Sequence, residues 1–173
     1  MEELSAAYKE QKLDAFGLYC YGLVLKESQK ETLSCPHPPH TVLIESILQF
    51  PYNWSAWLDL CEVVASQDSS LEEQVEQALQ PTLATHYMYH FFCAHLMADH
   101  HQAHEDALVL YERLYEPLPD QPLFQTSYLK SQMGVVHYHL REFEQALEWF
   151  TQIQDPFSLE SKDVFSNILY VKE

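Results

Sequence analysis

The stretch YHLREFEQALEWF, residues 138–150, decides the fold, because it sets one small residue, Ala146, and one large residue, Phe150, among charged ones. Ala146 follows Gly134 by twelve positions, and Phe150 and Ile153 follow Ala146 by four and seven. Side chains three, four or seven positions apart lie on one face of an α-helix. The spacing therefore predicts two helices that approach closely at their small residues, while the large residues fill the space between them.

The same spacing recurs upstream of this stretch. In residues 88–119, Ala107 follows His95 by twelve positions, Tyr111 and Leu114 follow Ala107 by four and seven, and Pro119 closes the unit. Two earlier copies carry the pattern of their first helix at Leu18, Tyr21, Gly22 and Leu25, and at Trp57, Leu60, Cys61 and Val64. Four copies in one phase predict a series of helical hairpins.

This pattern resembles the tetratricopeptide repeat, a helix-turn-helix unit of about 34 residues. The resemblance implies an all-α solenoid of antiparallel helix pairs that forms a right-handed superhelix, with a non-repeating helical bundle as the alternative. We expect one array over residues 1–173, with units at 14–53, 54–87, 88–126 and 127–160. Residues 161–173 are expected to begin a further repeat whose second helix is missing.

Two stretches depart from the pattern. The first unit is about five residues longer than the repeat, and the extra residues are expected in the turn SCPHPPH, residues 34–40. Residues 66–85 predict only a short, acidic second helix, because Pro81 arrives about four positions early.

Composition argues against several classes of function. The chain has 9 Lys and Arg against 26 Asp and Glu, a formal charge of -17, which repels nucleic acid and anionic membrane surfaces. No signal peptide or spanning apolar run occurs, so we expect a soluble intracellular protein. The four cysteines (Cys20, Cys35, Cys61 and Cys93) form no CxxC pair and are typical of a reducing compartment.

The sequence also predicts no enzyme, cofactor or small-molecule substrate. Only 3 glycines occur, and neither a phosphate-binding loop nor a nucleophile motif is present. The 10 histidines raise the question of a metal site, with His100, His104 and neighbouring carboxylates as candidate ligands. The repeat places residues 99–104 in a turn, so we predict exposed turn histidines there, and likewise at His37 and His40, rather than a metal site.

The concave groove of such a solenoid is lined by positions two, five and nine of each first helix. These positions are Phe16, Tyr19 and Leu23 in the first unit, Tyr89, Phe92 and Leu96 in the third, and Tyr128, Ser131 and Val135 in the fourth. Contiguous apolar surface normally marks a protein contact site. We therefore predict that the groove binds a hydrophobic protein partner rather than the charged C-terminal carboxylate of another chain.

The first helix of the first unit is apolar on almost every face, and such a helix must be buried all round. Two covers are open. Residues 1–13 could fold back as a cap, or a second chain could pack against the helix, most simply as a symmetric homodimer. We favour the dimer and predict contacts through Phe16, Tyr19 and Leu23.

Three motifs go beyond the generic repeat: FGLYCYG at 16–22, WSAWLDLC at 54–61 and DVFSNILYV at 163–171. They resemble the cell-division-cycle-twenty-three class of scaffold subunit, or subunit eight, of the anaphase-promoting complex. The resemblance implies a non-catalytic scaffold of a RING-type ubiquitin ligase in mitosis and cell division, in the nucleus and cytoplasm. It also implies homodimerisation through the N-terminal repeats and contacts with other subunits of the complex. The alternative is a monomeric repeat adaptor that binds a hydrophobic peptide in its groove.

Overall fold

The computed structural model describes residues 2–30, 36–66, 69–116, 125–158 and 161–172. Ten α-helices and no strand occur within these ranges. The helices are α1 (Glu2–Lys9), α2 (Ala15–Lys30), α3 (Pro39–Gln49), α4 (Trp54–Ala65), α5 (Ser69–Leu83), α6 (Tyr87–His95), α7 (His104–Tyr115), α8 (Ser127–His139), α9 (Phe143–Thr151) and α10 (Lys162–Lys172). A π-helical turn, Leu96–His100, continues α6, and a 3-10 turn spans Pro156–Ser158. The prediction of an all-α fold of repeated helix pairs is confirmed.

Local sequence explains where several helices begin. The Asp14 carboxylate accepts a hydrogen bond from the Gly17 N–H at 2.7 Å, in the first turn of α2. Thr126 does the same for the Leu129 N–H at the start of α8, at 3.2 Å. These side chains satisfy backbone donors that have no partner inside the helix. A proline, Pro39, opens α3, where its fixed φ suits the first helical position.

The chain divides into two compact units, Met1–Phe92 and Cys93–Glu173. In the first unit, α2 packs against α3, and α3 in turn contacts α4 and α5. Its fully buried large side chains are Tyr21, Leu25, Leu43, Ile47, Trp57, Leu60 and Leu79. Trp57 also donates a hydrogen bond from its indole Nε1 to the carbonyl oxygen of Pro51 at 2.8 Å.

In the second unit, α8 packs against α7 and α9, and α10 contacts α9. The fully buried Phe150 lies in a cluster with Ala146, Ile153, Phe165 and Ile168. A Cβ atom on Gly134 would lie 2.7 Å from Phe150 Cε2, closer than atoms normally approach. Only glycine therefore permits this contact between α8 and α9, which is the close approach that the opening stretch predicts.

Helix α5 corrects the prediction for residues 66–85, because it has 15 residues and continues past Pro81. Four buried side chains at helical spacing, Leu71, Val75, Leu79 and Leu83, hold it against the unit. Pro81 lies in the last turn, so the helix continues for only two residues beyond the lost N–H donor. Ser34, Cys35 and Pro119, to which the sequence also assigned turn positions, lie outside the described residues.

No helix in the described part of the chain is both long enough and apolar enough to span a bilayer.

Candidate protein-interaction site

Helix α1 caps one face of α2. Tyr8 anchors the cap, since its hydroxyl donates a hydrogen bond to Glu45 Oε1 at 2.6 Å. Burial, together with this bond to Glu45, raises the pKa of Tyr8 to about 12. Apolar side chains complete the contact: Leu4, Tyr8 and Leu13 pack against the buried cluster Leu18, Tyr21, Leu25 and Val42. The sequence left open whether residues 1–13 or a second chain covers α2. On the face that contains Leu18, Tyr21 and Leu25, residues 1–13 of this chain form the cover.

The cap is extended by His37. Its ring lies 4.8 Å from that of Tyr8, edge to face, and its Nδ1 atom is 3.2 Å from the Tyr21 hydroxyl. The prediction of an exposed turn histidine is therefore wrong for His37, because aromatic neighbours partly cover its ring. His40, on α3, has a buried Nδ1 atom and is only partly exposed, so it is corrected in the same way.

The three residues predicted to form a dimer contact lie on another stripe of α2 and have different surroundings. Phe16 is 55% exposed, and its ring rests against that of Phe50 with centroids 5.5 Å apart. Leu23 is half-buried. Tyr19 is held inside the unit, since its hydroxyl donates to Asp59 Oδ2 at 2.9 Å. The part of this stripe that presents apolar surface is therefore Phe16 and Leu23.

A charge network joins α2 to α4 on this stripe. Lys26 contacts Asp59 Oδ1 and lies 2.8 Å from Glu62 Oε2. The Lys26 side chain is 9% exposed and that of Asp59 15%, whereas that of Glu62 is 61% exposed. Burial lowers the pKa of Lys26, but hydrogen bonds and charge from both carboxylates outweigh it and raise this pKa overall. The cation is therefore held between two anions.

Sequence reasoning missed this network, although a signal was present. Lys26 follows Tyr19 by seven positions and so shares its helical face, and Asp59 is the only charge in WSAWLDLC. Burial and the bond to Asp59 also raise the pKa of Tyr19. Tyr19 therefore serves as a neutral donor to an anion within its own chain.

The sequence predicts that Tyr89, Phe92 and Leu96 of the third repeat, residues 88–126, line the groove. The structure corrects this prediction, because all three side chains are buried. The rings of Tyr89 and Phe92 lie 6.5 and 5.3 Å from that of Trp57, because large residues at these positions fill space beside the preceding first helix. These three side chains are not open to a partner.

In the fourth repeat, residues 127–160, the predicted groove positions differ in how exposed their side chains are. Tyr128 is 37% exposed, and Val135 is half-buried against the cluster around Phe150. Ser131 is buried and hydrogen-bonded to Ser161. A groove contact by Tyr128 and Val135 stays a prediction.

The remaining histidines are mostly packed on other rings. The turn between α6 and α7 does leave His100 and His101 exposed, as predicted. His104 instead stacks on His139 with centroids 4.8 Å apart, and its Nδ1 atom is buried. Among the described residues, no three or more His, Cys, Asp or Glu side chains are grouped so as to hold a metal ion.

The free energy of unfolding should fall when the pH is lowered from about 7.5 to about 5.5. Burial lowers the pKa values of four histidines, His40, His86, His95 and His104. Their ordinary pKa of about 6.5 returns on unfolding, so the unfolded chain binds more protons below that pH. The stability they contribute is present above about pH 6.5 and is lost as the pH falls through their lower folded-state values.

Urea unfolding followed by circular dichroism at both pH values measures this effect. His104→Gln should reduce the change in midpoint between the two pH values, whereas His101→Gln, at an exposed position, should leave it as in the wild type. A midpoint that is equal or higher at the acidic pH would contradict the prediction.

Comparison with known proteins agrees with this architecture. The family model described as "Anaphase promoting complex subunit 8 / Cdc23" matches residues 1–134. "Anaphase-promoting complex subunit 8" of Arabidopsis thaliana is 35% identical, over 99% of this chain and 27% of its own length. "Cell division cycle protein 23 homolog" of Homo sapiens is 33% identical, over 98% of this chain and 26% of its own length.

A yeast relative is more distant. "Anaphase-promoting complex subunit CDC23" of Saccharomyces cerevisiae is 24% identical, over 90% of this chain and 25% of its own length. The chain thus spans about a quarter of the length of these relatives. The matched region contains the capped first repeat and the charge network, and the chain belongs to the anaphase-promoting complex subunit 8 / Cdc23 family.

Proposed function

We propose that this chain is a non-catalytic assembly module of the anaphase-promoting complex, acting in cell division in the nucleus and cytoplasm. Family membership supports the assignment to the complex, and the described residues form helical repeats of the kind that serve as binding scaffolds. Its partners would be other subunits of that complex and a second copy of itself.

The homodimer contact is proposed on the uncapped stripe of α2. The observation that carries it is Phe16, which stays 55% exposed although α1 covers the opposite face of the helix. Leu23 lies on the same stripe, half-buried, and adds apolar surface beside it. Burial of such side chains by a symmetric partner would stabilise the pair by removing this surface from water.

Phe16→Glu should dissociate the dimer, because a carboxylate buried without a partner is strongly unfavourable. Light scattering over a wide concentration range should give a wild-type mass near twice 20.3 kDa and a variant mass near 20.3 kDa. The helical circular dichroism signal should not change, since this side chain is exposed. Tyr19 is left intact, because replacing it would also remove the hydrogen bond to Asp59.

Val109→Glu is the matched control, since Val109 is 45% exposed on α7 and lies outside the proposed contact. It should keep the wild-type mass. A wild-type mass of 20.3 kDa at every concentration, or a Phe16→Glu variant that stays dimeric, would overturn the proposed dimer.

The cap formed by α1 favours a second candidate function, a monomeric adaptor that takes a hydrophobic peptide. The cap already buries Leu18, Tyr21 and Leu25 of α2 without help from another chain. This candidate predicts a monomer whose Tyr128→Ala variant loses affinity for an apolar peptide, because Tyr128 is exposed at a predicted groove position. A dimer that persists on dilution would count against it.

A further inference from the structure

Five aromatic side chains form a connected row along the turns of the compact unit Met1–Phe92. The row consists of Phe16, Phe50, Tyr52, His86 and Tyr87, and we refer to it as the aromatic row. Ring centroids are 5.5 Å apart from Phe16 to Phe50, 5.6 Å from Phe50 to Tyr52, and 5.2 Å from Tyr52 to His86. Tyr87 stacks on His86 at 4.9 Å and lies 6.2 Å from Tyr52. Tyr52 thus contacts three of the other rings.

The aromatic row is open to solvent at its centre. Phe50 is 38% exposed and Tyr52 is 56% exposed, although both are large and apolar. Phe50 follows α3 and Tyr52 precedes α4, so the turn between two repeats places both rings at the surface. Single exposed aromatic residues are ordinary, but a contiguous row of them indicates a contact surface.

The charge of the chain favours one kind of partner for the aromatic row. No Lys or Arg occurs from residue 31 to residue 112, a span that holds only acidic charges and four members of the row. Of the basic residues in the same unit, Lys26 is already paired with Asp59 and Glu62, and Lys12 with Glu10. The faces of aromatic rings carry negative potential and attract cations, guanidinium groups most often.

His86 does not oppose a cation. Its Nδ1 atom accepts a hydrogen bond from the backbone N–H of Met88 at 3.2 Å, so this nitrogen carries no proton. Its neutral ring therefore extends the aromatic surface.

We propose that the aromatic row binds an arginine-bearing, basic segment of a partner protein, whose guanidinium groups stack on the rings of Phe50 and Tyr52. A second copy of this chain is the poorer occupant of Phe50 and Tyr52, because its 9 basic residues against 26 acidic ones offer these rings few cations. The inference does not depend on the proposed dimer, whose stripe shares only Phe16 with the row.

The test uses the whole chain and a short synthetic peptide that alternates arginine with glycine and serine. Citrulline has the shape of arginine without its charge, so a peptide with citrulline at every arginine position is the ligand control. Binding is measured by calorimetry for the wild type, Tyr52→Ala and Tyr52→Phe. Tyr170→Ala is the matched protein control, since Tyr170 is 81% exposed on α10 and lies outside the row.

Tyr52→Ala should weaken binding of the arginine peptide by about two- to fivefold, the effect of one exposed ring. Tyr52→Phe and Tyr170→Ala should bind as the wild type does, and the citrulline peptide should bind more weakly than the arginine peptide. Equal affinities of Tyr52→Ala and Tyr170→Ala would overturn the proposal, as would equal binding of both peptides. A Tyr52→Ala variant that loses dimer mass instead of peptide affinity would also overturn it, because the row would then be covered by a second copy.

Discussion

Lys26→Met is expected to lower the free energy of unfolding by about 3 kcal/mol. Removing the cation leaves the Asp59 carboxylate largely buried, where it still accepts a hydrogen bond from the Tyr19 hydroxyl. Loss of one partner from a buried ion pair is costly because the other charge stays desolvated. Glu62 is 61% exposed and can return to water, which keeps the loss near the lower end of the usual range.

Urea unfolding measures the loss, and hydrogen exchange locates it. The amides of α2 and α4 should exchange faster in Lys26→Met, whereas those of α8 and α9 should not change. Lys12→Met is the control, because Lys12 pairs with Glu10 at 2.5 Å on an exposed surface. Such pairs contribute at most about 1 kcal/mol.

A second variant separates charge from packing. Lys26→Met combined with Asp59→Leu removes both buried charges and should recover much of the lost stability. If Lys26→Met is no more destabilising than Lys12→Met, the network does not hold α2 and α4 together.

Much of the fold follows from the sequence, since helix pairing depends on local spacing. Gly134 and Phe150 mark the close approach of α8 and α9 from sixteen positions apart, and only helical periodicity is needed to see it. The pattern fails at α5, where Pro81 looks like a helix stop. There the tertiary burial of Leu79 and Leu83 on either side of the proline outweighs its local preference.

The candidate site was harder to predict, because it depends on which side chain fills which space. The spacing puts Tyr19 and Phe92 at groove positions. In the structure, however, the Tyr19 hydroxyl donates a hydrogen bond to Asp59, and the Phe92 ring fills the space beside Trp57. The cap has the same origin, since Tyr8 reaches Glu45 across 37 positions in the chain. Spacing gives the direction of a side chain but not the partner that the tertiary structure brings to it.

Trp57→Ala is expected to lower the free energy of unfolding by about 3–5 kcal/mol, the usual effect of removing a large buried aromatic residue. Trp57 is fully buried, and its ring packs against both Tyr89 and Phe92, so one side chain joins the second repeat to the start of α6. Alanine would leave a cavity between them. The Pro51 carbonyl oxygen would also lose the indole donor that binds it at 2.8 Å.

The neighbouring Trp54 provides a matched control, because it lies on the same helix but is only partly buried. Trp54→Ala should cost less than Trp57→Ala in urea unfolding and should speed hydrogen exchange in α4 and α6 less, since its ring is partly exposed although it also lies 6.3 Å from that of Phe91. Hydrogen exchange of the amides of α8 and α9 gives an independent readout of the second unit in both variants. Equal losses for the two variants would mean that Trp57 does not join successive repeats, and the burial at Tyr89 and Phe92 would need another cause.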